Sequence, residues 1–144
     1  MKKFKFRLQR VLEYRKILRE ERQRELLAKL HQLRLAKERL EALERAELAN
    51  RIGEGDVQLL LLYMNGAYGE RLKIEIASQR VAVEQAEKER DQAVELYQEA
   101  AKDEKALISL KEKKFLEYRA YLEAEDRKFL DELATQKGNL LHAD

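Results

Sequence analysis

VELYQEAAKDEKALISLKEKKFLEYRAYLEAEDRKF, residues 94–129, is the stretch that decides the fold. Val94, Ala101, Ile108, Phe115, Leu122 and Phe129 recur in it every seven residues. A half-buried strand would alternate apolar and polar residues, and this stretch does not. A seven-residue repeat instead lines one face of a helix with a narrow apolar seam that a second helix can bury. The companion positions are mixed: Tyr97 and Tyr118 are aromatic, whereas Glu104, Lys111, Glu125 and Glu132 are charged. The seam is imperfect, so the pairing should be modest in stability.

The partner helix is found upstream. Phe4, Val11 and Leu18 are spaced by seven, and after an eight-residue step Leu26, Leu33 and Leu40 continue by seven, with Leu8, Leu12, Leu30, Ala36 and Leu43 beside them. Glu20 with Arg24, Glu25 with Lys29 and Glu41 with Arg45 add helix-compatible pairs four apart, each worth a few tenths of a kcal/mol. The pattern breaks at Asn50-Arg51-Ile52-Gly53-Glu54-Gly55-Asp56. Its two glycines can adopt positive φ, and Asp56 suits an N-cap. Asn65-Gly66-Ala67-Tyr68-Gly69 is a second break, read as weakening or bending the later helix. Gly138-Asn139 reads as a C-terminal stop. The expectation is an all-α chain, a single coiled-coil domain over 1–144. Helix one covers about 4–50, a bend about 51–56, helix two about 57–137 and a frayed tail 138–144. At about 1.5 Å per residue the arms are roughly 70 Å and roughly 120 Å long. The reversal makes the hairpin antiparallel, and the seven-residue period predicts a left-handed supercoil.

Composition agrees. The 144 residues contain no Pro, Cys or Trp and five Gly, and 40% are charged. An interior proline would cost a helix about 3 kcal/mol. The absence of cysteine excludes disulfides and thiolate metal sites. The longest apolar run, Leu59–Met64, is far short of the about 20 residues that span a bilayer, and no signal peptide is visible after the basic start. Thirty Lys/Arg against 28 Asp/Glu leave a net charge of +2, a near balance that argues against bulk nucleic-acid binding. The charge is nevertheless polarised: residues 1–24 carry ten Lys/Arg and three Glu, residues 123–144 three Lys/Arg and six Asp/Glu. The two ends would attract each other if they lay side by side.

Little in the chain supports catalysis. His31 and His142 are far apart, no HExxH or GxxxxGK[ST] pattern occurs, and Gly53-Glu54-Gly55 lacks the preceding strand of a dinucleotide fingerprint. No enzyme, cofactor, metal or small-molecule substrate is expected. The basic opening, with Phe4 and Phe6 interleaved among Lys2, Lys3, Lys5, Arg7 and Arg10, is compatible with nucleic acid or a membrane surface, but its apolar positions are read more economically as seam. In Leu59–Met64, six consecutive apolar residues cannot all face one partner helix. Tyr68, Leu72 and Ile76 continue one face beyond them. Such a patch marks a protein-binding site, unless a local three-helix tip buries it.

Phe4-Lys5-Phe6-Arg7-Leu8-Gln9-Arg10-Val11-Leu12-Glu13-Tyr14-Arg15 resembles the opening of the flagellar FliJ family: basic, Phe-x-Phe-x-Leu, then Val-Leu and an Arg three residues later. The glycine-containing break near residue 53, the Tyr/Leu-rich start of helix two and Leu130-Asp131-Glu132 extend the likeness over essentially the whole chain. The resemblance implies a cytoplasmic, non-enzymatic component of the bacterial flagellar type III export apparatus, needed for flagellum assembly and motility. It would be a hairpin like the central stalk, or gamma subunit, of rotary ATPases. Its implied partners are the export ATPase ring, the membrane export gate and export chaperones, with no nucleic acid. Its implied place is the cytoplasmic side of the cell membrane at the basal body. Carried onto this chain, ring contacts fall on Phe4, Phe6, Arg7, Arg10, Val11 and Arg15, opposite the final turns of helix two. Gate contacts fall on Leu40, Leu43, Tyr68, Leu72 and Gln79. The alternatives are the stalk of a virulence type III system or of a rotary ATPase, or a generic coiled-coil oligomerisation or nucleic-acid-binding module.

Overall fold

A computed structural model describes residues 3–52 and 59–141 of the chain. They form two α-helices, α1 (Gln9–Ile52) and α2 (Leu59–Leu141), with no strand among the described residues. The helices pack against each other as an antiparallel coiled-coil hairpin. Partner numbers on α2 fall as those on α1 rise, from Lys29 beside Glu89 to Asn50 beside Gly69.

The helix ends differ from the sequence expectation. α1 starts at Gln9, not near Phe4: Lys3–Phe6 are non-helical, Arg7 and Leu8 form a turn, and Gln9 N–H donates to the Phe6 carbonyl at 3.1 Å. α2 runs through Gly66, Gly69 and Gly138 and ends at Leu141. No described glycine has positive φ, so Gly138 is a helical residue and not a left-handed stop. The expected reversal at Gly53 and Gly55 with its Asp56 cap, and His142, lie outside the described residues.

Two compact units divide the hairpin, Leu18–Ala100 and Met1–Ile17 with Ala101–Asp144. In the first, Leu33 of α1 and Leu72, Ile76, Val83, Ala93 and Ala100 of α2 form the buried core. Polar contacts flank it. Lys29 Nζ lies 3.2 Å from Glu89, Arg80 reaches Glu44 at 3.7 Å, and Gln79 Nε2 donates to the Ala36 carbonyl at 2.9 Å. In the second unit Leu12 is buried, and Phe4, Leu8, Leu107, Leu110 and Leu122 are half-buried. Arg15 donates to Asp103 at 3.2 Å.

The seam itself is displaced from its expected positions. On α2 the buried or half-buried sevens are Leu72, Gln79, Ala86, Ala93, Ala100 and Leu107, accompanied by Ile76, Val83, Arg90, Tyr97, Glu104 and Lys111. This is one residue ahead of Val94, Ala101 and Ile108; Ile108, Phe115 and Phe129 are 38%, 43% and 61% exposed. The cause is the close approach of two helices, which favours alanine at the contact and leaves the bulkier neighbour on the flank. On α1 the sevens are Leu12, Arg19, Leu26, Leu33, Leu40 and Glu47, with Arg15, Arg22, Lys29, Ala36, Leu43 and Asn50. The apparent eight-residue step from Leu18 to Leu26 disappears once Arg19 is counted: a cation occupies that place in the repeat, its aliphatic stem covering apolar surface.

Candidate partner-binding surfaces

The unit containing Met1–Ile17 carries the first surface. Its non-helical segment packs on α2 through Phe4, whose ring stands edge to face with Phe115 (centroids 5.4 Å, 73°) and tilted against Tyr118 (5.5 Å). Such aromatic pairs contribute about 0.5–1.5 kcal/mol beyond their burial. Phe6 is half-buried, and Arg7 and Arg10 are exposed. Two adjoining grooves result. One is floored by Leu110, Tyr118 and Tyr121 beside Phe4 and Phe6. The other is walled by Lys5, Arg7, Arg10, Glu13 and Lys111. Lys5, Arg7, Arg10 and Lys111 have no carboxylate partner among the described residues, whereas Lys114 pairs with Glu117 at 3.4 Å.

Phe4, Phe6, Arg7 and Arg10 therefore meet at one place. Val11 borders them at 42% exposure. Arg15 is half-buried and engaged by Asp103. The segment faces Leu110–Tyr121 of α2, however, not its final turns. Those turns lie beyond it: from Glu123 to Lys137 every residue is exposed, and no ion pair joins the acidic stretch to the basic opening among the described residues. Among the described residues the expected pairing of the two ends is not made, because the heptad alignment sets the helix offset. Aromatic packing at Phe115 and Tyr118 then leaves the acidic residues further along.

The expected second surface, in the unit Leu18–Ala100, is divided between core and surface. Leu72 is 3% exposed and belongs to the core, Gln79 is held by Ala36, and Leu40 and Leu43 are half-buried in the seam. Tyr68, at 42%, is the accessible member. The outward side of α2 carries Tyr63, part of the Leu59–Met64 patch read as a binding site, at 77% exposed, and two residues that the sequence reading did not select, Ile74 at 69% and Val81 at 65%. Their spacing of eleven and seven residues places them on one helix face, a signal present in the sequence but hidden by the seam residues between them. Met64 is also exposed, and the side chains of Leu59–Leu62 lie outside the described residues.

The family model described as Flagellar FliJ protein matches residues 4–139, from the first groove aromatic to the last turn of α2. The chain belongs to the FliJ family. No curated protein and no solved structure matches it. FliJ is a non-catalytic flagellar family, which gives this chain a role in flagellar protein export and partners within the export apparatus. No helix among its described residues is long and apolar enough to cross a membrane. The FliJ match takes in both surfaces, and the basic opening that first suggested the family is the segment that builds the groove.

Proposed function

We propose that this FliJ chain is the central stalk of the flagellar export machinery, linking the export ATPase ring to the membrane export gate and engaging export chaperones. It would act in the cytoplasm, peripheral to the membrane at the basal body, and be needed for flagellum assembly and motility. The observation that carries this reading is the FliJ match over residues 4–139. The surface made by half-buried Phe4 and Phe6 and exposed Arg7 and Arg10 supports it as the ring contact, with Val11 at its border and Arg15 holding α1 to α2 behind it. At the gate contact, Tyr68 meets the partner, while Leu40, Leu43, Leu72 and Gln79 hold the helix pair that presents it.

A two-helix rod in a near-symmetric ring touches the subunits unequally. It biases which subunit occupies which state, and it does so only by the difference in its contacts with those states. The test is turnover of the cognate export ATPase with and without stoichiometric FliJ chain. Increased ring assembly and hydrolysis are expected. Unchanged turnover with folded, helical protein would remove the ring contact from the account.

A further inference from the structure

The last turns of α2 present an apolar stripe that no other described residue covers. Phe129, Leu130, Leu133 and Leu140 are 61%, 62%, 45% and 75% exposed. Phe129 prolongs the sevens of Phe115 and Leu122, and Leu140 follows Leu133 by seven. This is a helix seam without a partner, and the pattern is one that another helix buries. Around it Glu123, Glu125, Asp126, Asp131 and Glu132 are exposed with no cation partner among the described residues. The same unit has the converse surface: two adjoining grooves, one floored by Leu110 and Tyr121, the other walled by Lys5, Arg7, Arg10 and Lys111 with Glu13 among them, and these four cations have no carboxylate partner among the described residues. Each surface supplies what the other lacks in charge and in apolar cover. They cannot meet within one molecule, because α2 is one continuous helix that carries the acidic stripe past the groove.

We propose that the acidic apolar end of α2 docks into the basic aromatic groove of a second copy of this chain, and that the second copy returns the contact. Reciprocal docking of antiparallel ends is a two-fold arrangement, so it closes at two molecules and does not propagate. Burial of the stripe holds the pair together, and the groove cations select the acidic helix and orient it. Nucleic acid would satisfy the groove cations but leave the apolar stripe of Phe129, Leu130 and Leu133 uncovered, whereas a second copy answers both. The inference does not depend on the stalk reading. It adds to it that two paired chains would cover the ring-binding end and release it when the ring competes.

Sedimentation equilibrium of the full chain at micromolar concentrations tests this. At low salt the mass should approach twice 17.1 kDa, and it should fall toward one chain as salt is raised. Phe129→Asp with Leu133→Asp should weaken association at least about tenfold. Both side chains are exposed, and far-UV circular dichroism should show unchanged helix. A charge swap gives the sharper result. A chain with Arg7→Glu and Arg10→Glu, and another with Glu125→Lys and Asp126→Lys, should each be monomeric alone and should pair when mixed. A wild-type chain monomeric throughout overturns the proposal. So does a dimer indifferent to Phe129→Asp/Leu133→Asp, or a failure of the two reversed chains to pair. Binding of short duplex DNA without self-association would assign the groove to nucleic acid and equally overturn it.

Discussion

Gly66 and Gly69 are three residues apart in α2, and substitution separates their roles. A Cβ on Gly66 meets nothing within 4 Å, whereas one on Gly69 comes to 3.1 Å from Asn50 Nδ2. Replacing an unconstrained helix-interior glycine by alanine recovers about 1 kcal/mol of backbone entropy and propensity. Gly66→Ala should therefore raise the urea midpoint by that equivalent. Gly69→Ala should gain less, because the Asn50 side chain has to give way. Equal gains in urea unfolding would show that the Gly69–Asn50 approach constrains nothing. Leu33 and Leu35 make a similar pair, 4% and 49% exposed. Leu33→Ala removes seam packing and should cost about 2–4 kcal/mol, while Leu35→Ala should stay within about 0.5 kcal/mol. Thermal unfolding of the two variants checks the seam assignment on α1.

For the helices, what could be read and what could not follows from side-chain size. The seven-residue repeats announced two helices and an antiparallel hairpin, since leucine and the aromatics dominate any apolar count. The same bias displaced the α2 seam by one residue, because Ile108 and Phe115 stand out in the sequence while Ala86, Ala93 and Ala100 look like filler. Arg19, Arg22 and Lys29 hid the α1 repeat for a related reason: cations with long stems count as polar in a sequence but occupy half-buried positions. The seam is testable on α2 directly. Ala93→Leu and Ala100→Leu should each overpack the interface and cost about 1–3 kcal/mol. Val94→Leu, on the flank, should be nearly neutral. If Ala93→Leu stabilised the hairpin in chemical denaturation, the close approach of the helices there would be wrong.

At the level of the whole molecule, the first surface was legible because its residues are contiguous: Phe4 through Arg10 are neighbours in the chain, and a short non-helical segment keeps them together. The second was only partly legible. A helix face spreads its residues over several turns, and one-residue uncertainty in the seam turns an outward residue into a core one, as with Leu72. A functional prediction belongs here. Arg7→Glu with Arg10→Glu should abolish most of the stimulation of the export ATPase without loss of helix, since both side chains are exposed. Undiminished turnover in the presence of this variant would move the ring contact elsewhere. Tyr68→Ala should leave that stimulation intact while weakening binding to the isolated gate domain.

The cations set among the seam leucines have another consequence. Repeats of leucine and alanine tolerate slippage, because every seventh position resembles the last. Sliding the helices by one repeat in either direction would set Arg15 level with Leu96 or Leu110 instead of Asp103, and Lys29 level with Ala82 or Leu96 instead of Glu89. A half-buried ammonium or guanidinium stranded against an aliphatic side chain loses its counter-charge while still losing water. Pairs as open to water as these add little to stability, but they make the wrong alignments worse. The two bridges act less as glue than as the notches of a ruler, permitting one setting of the arms and penalising those on either side.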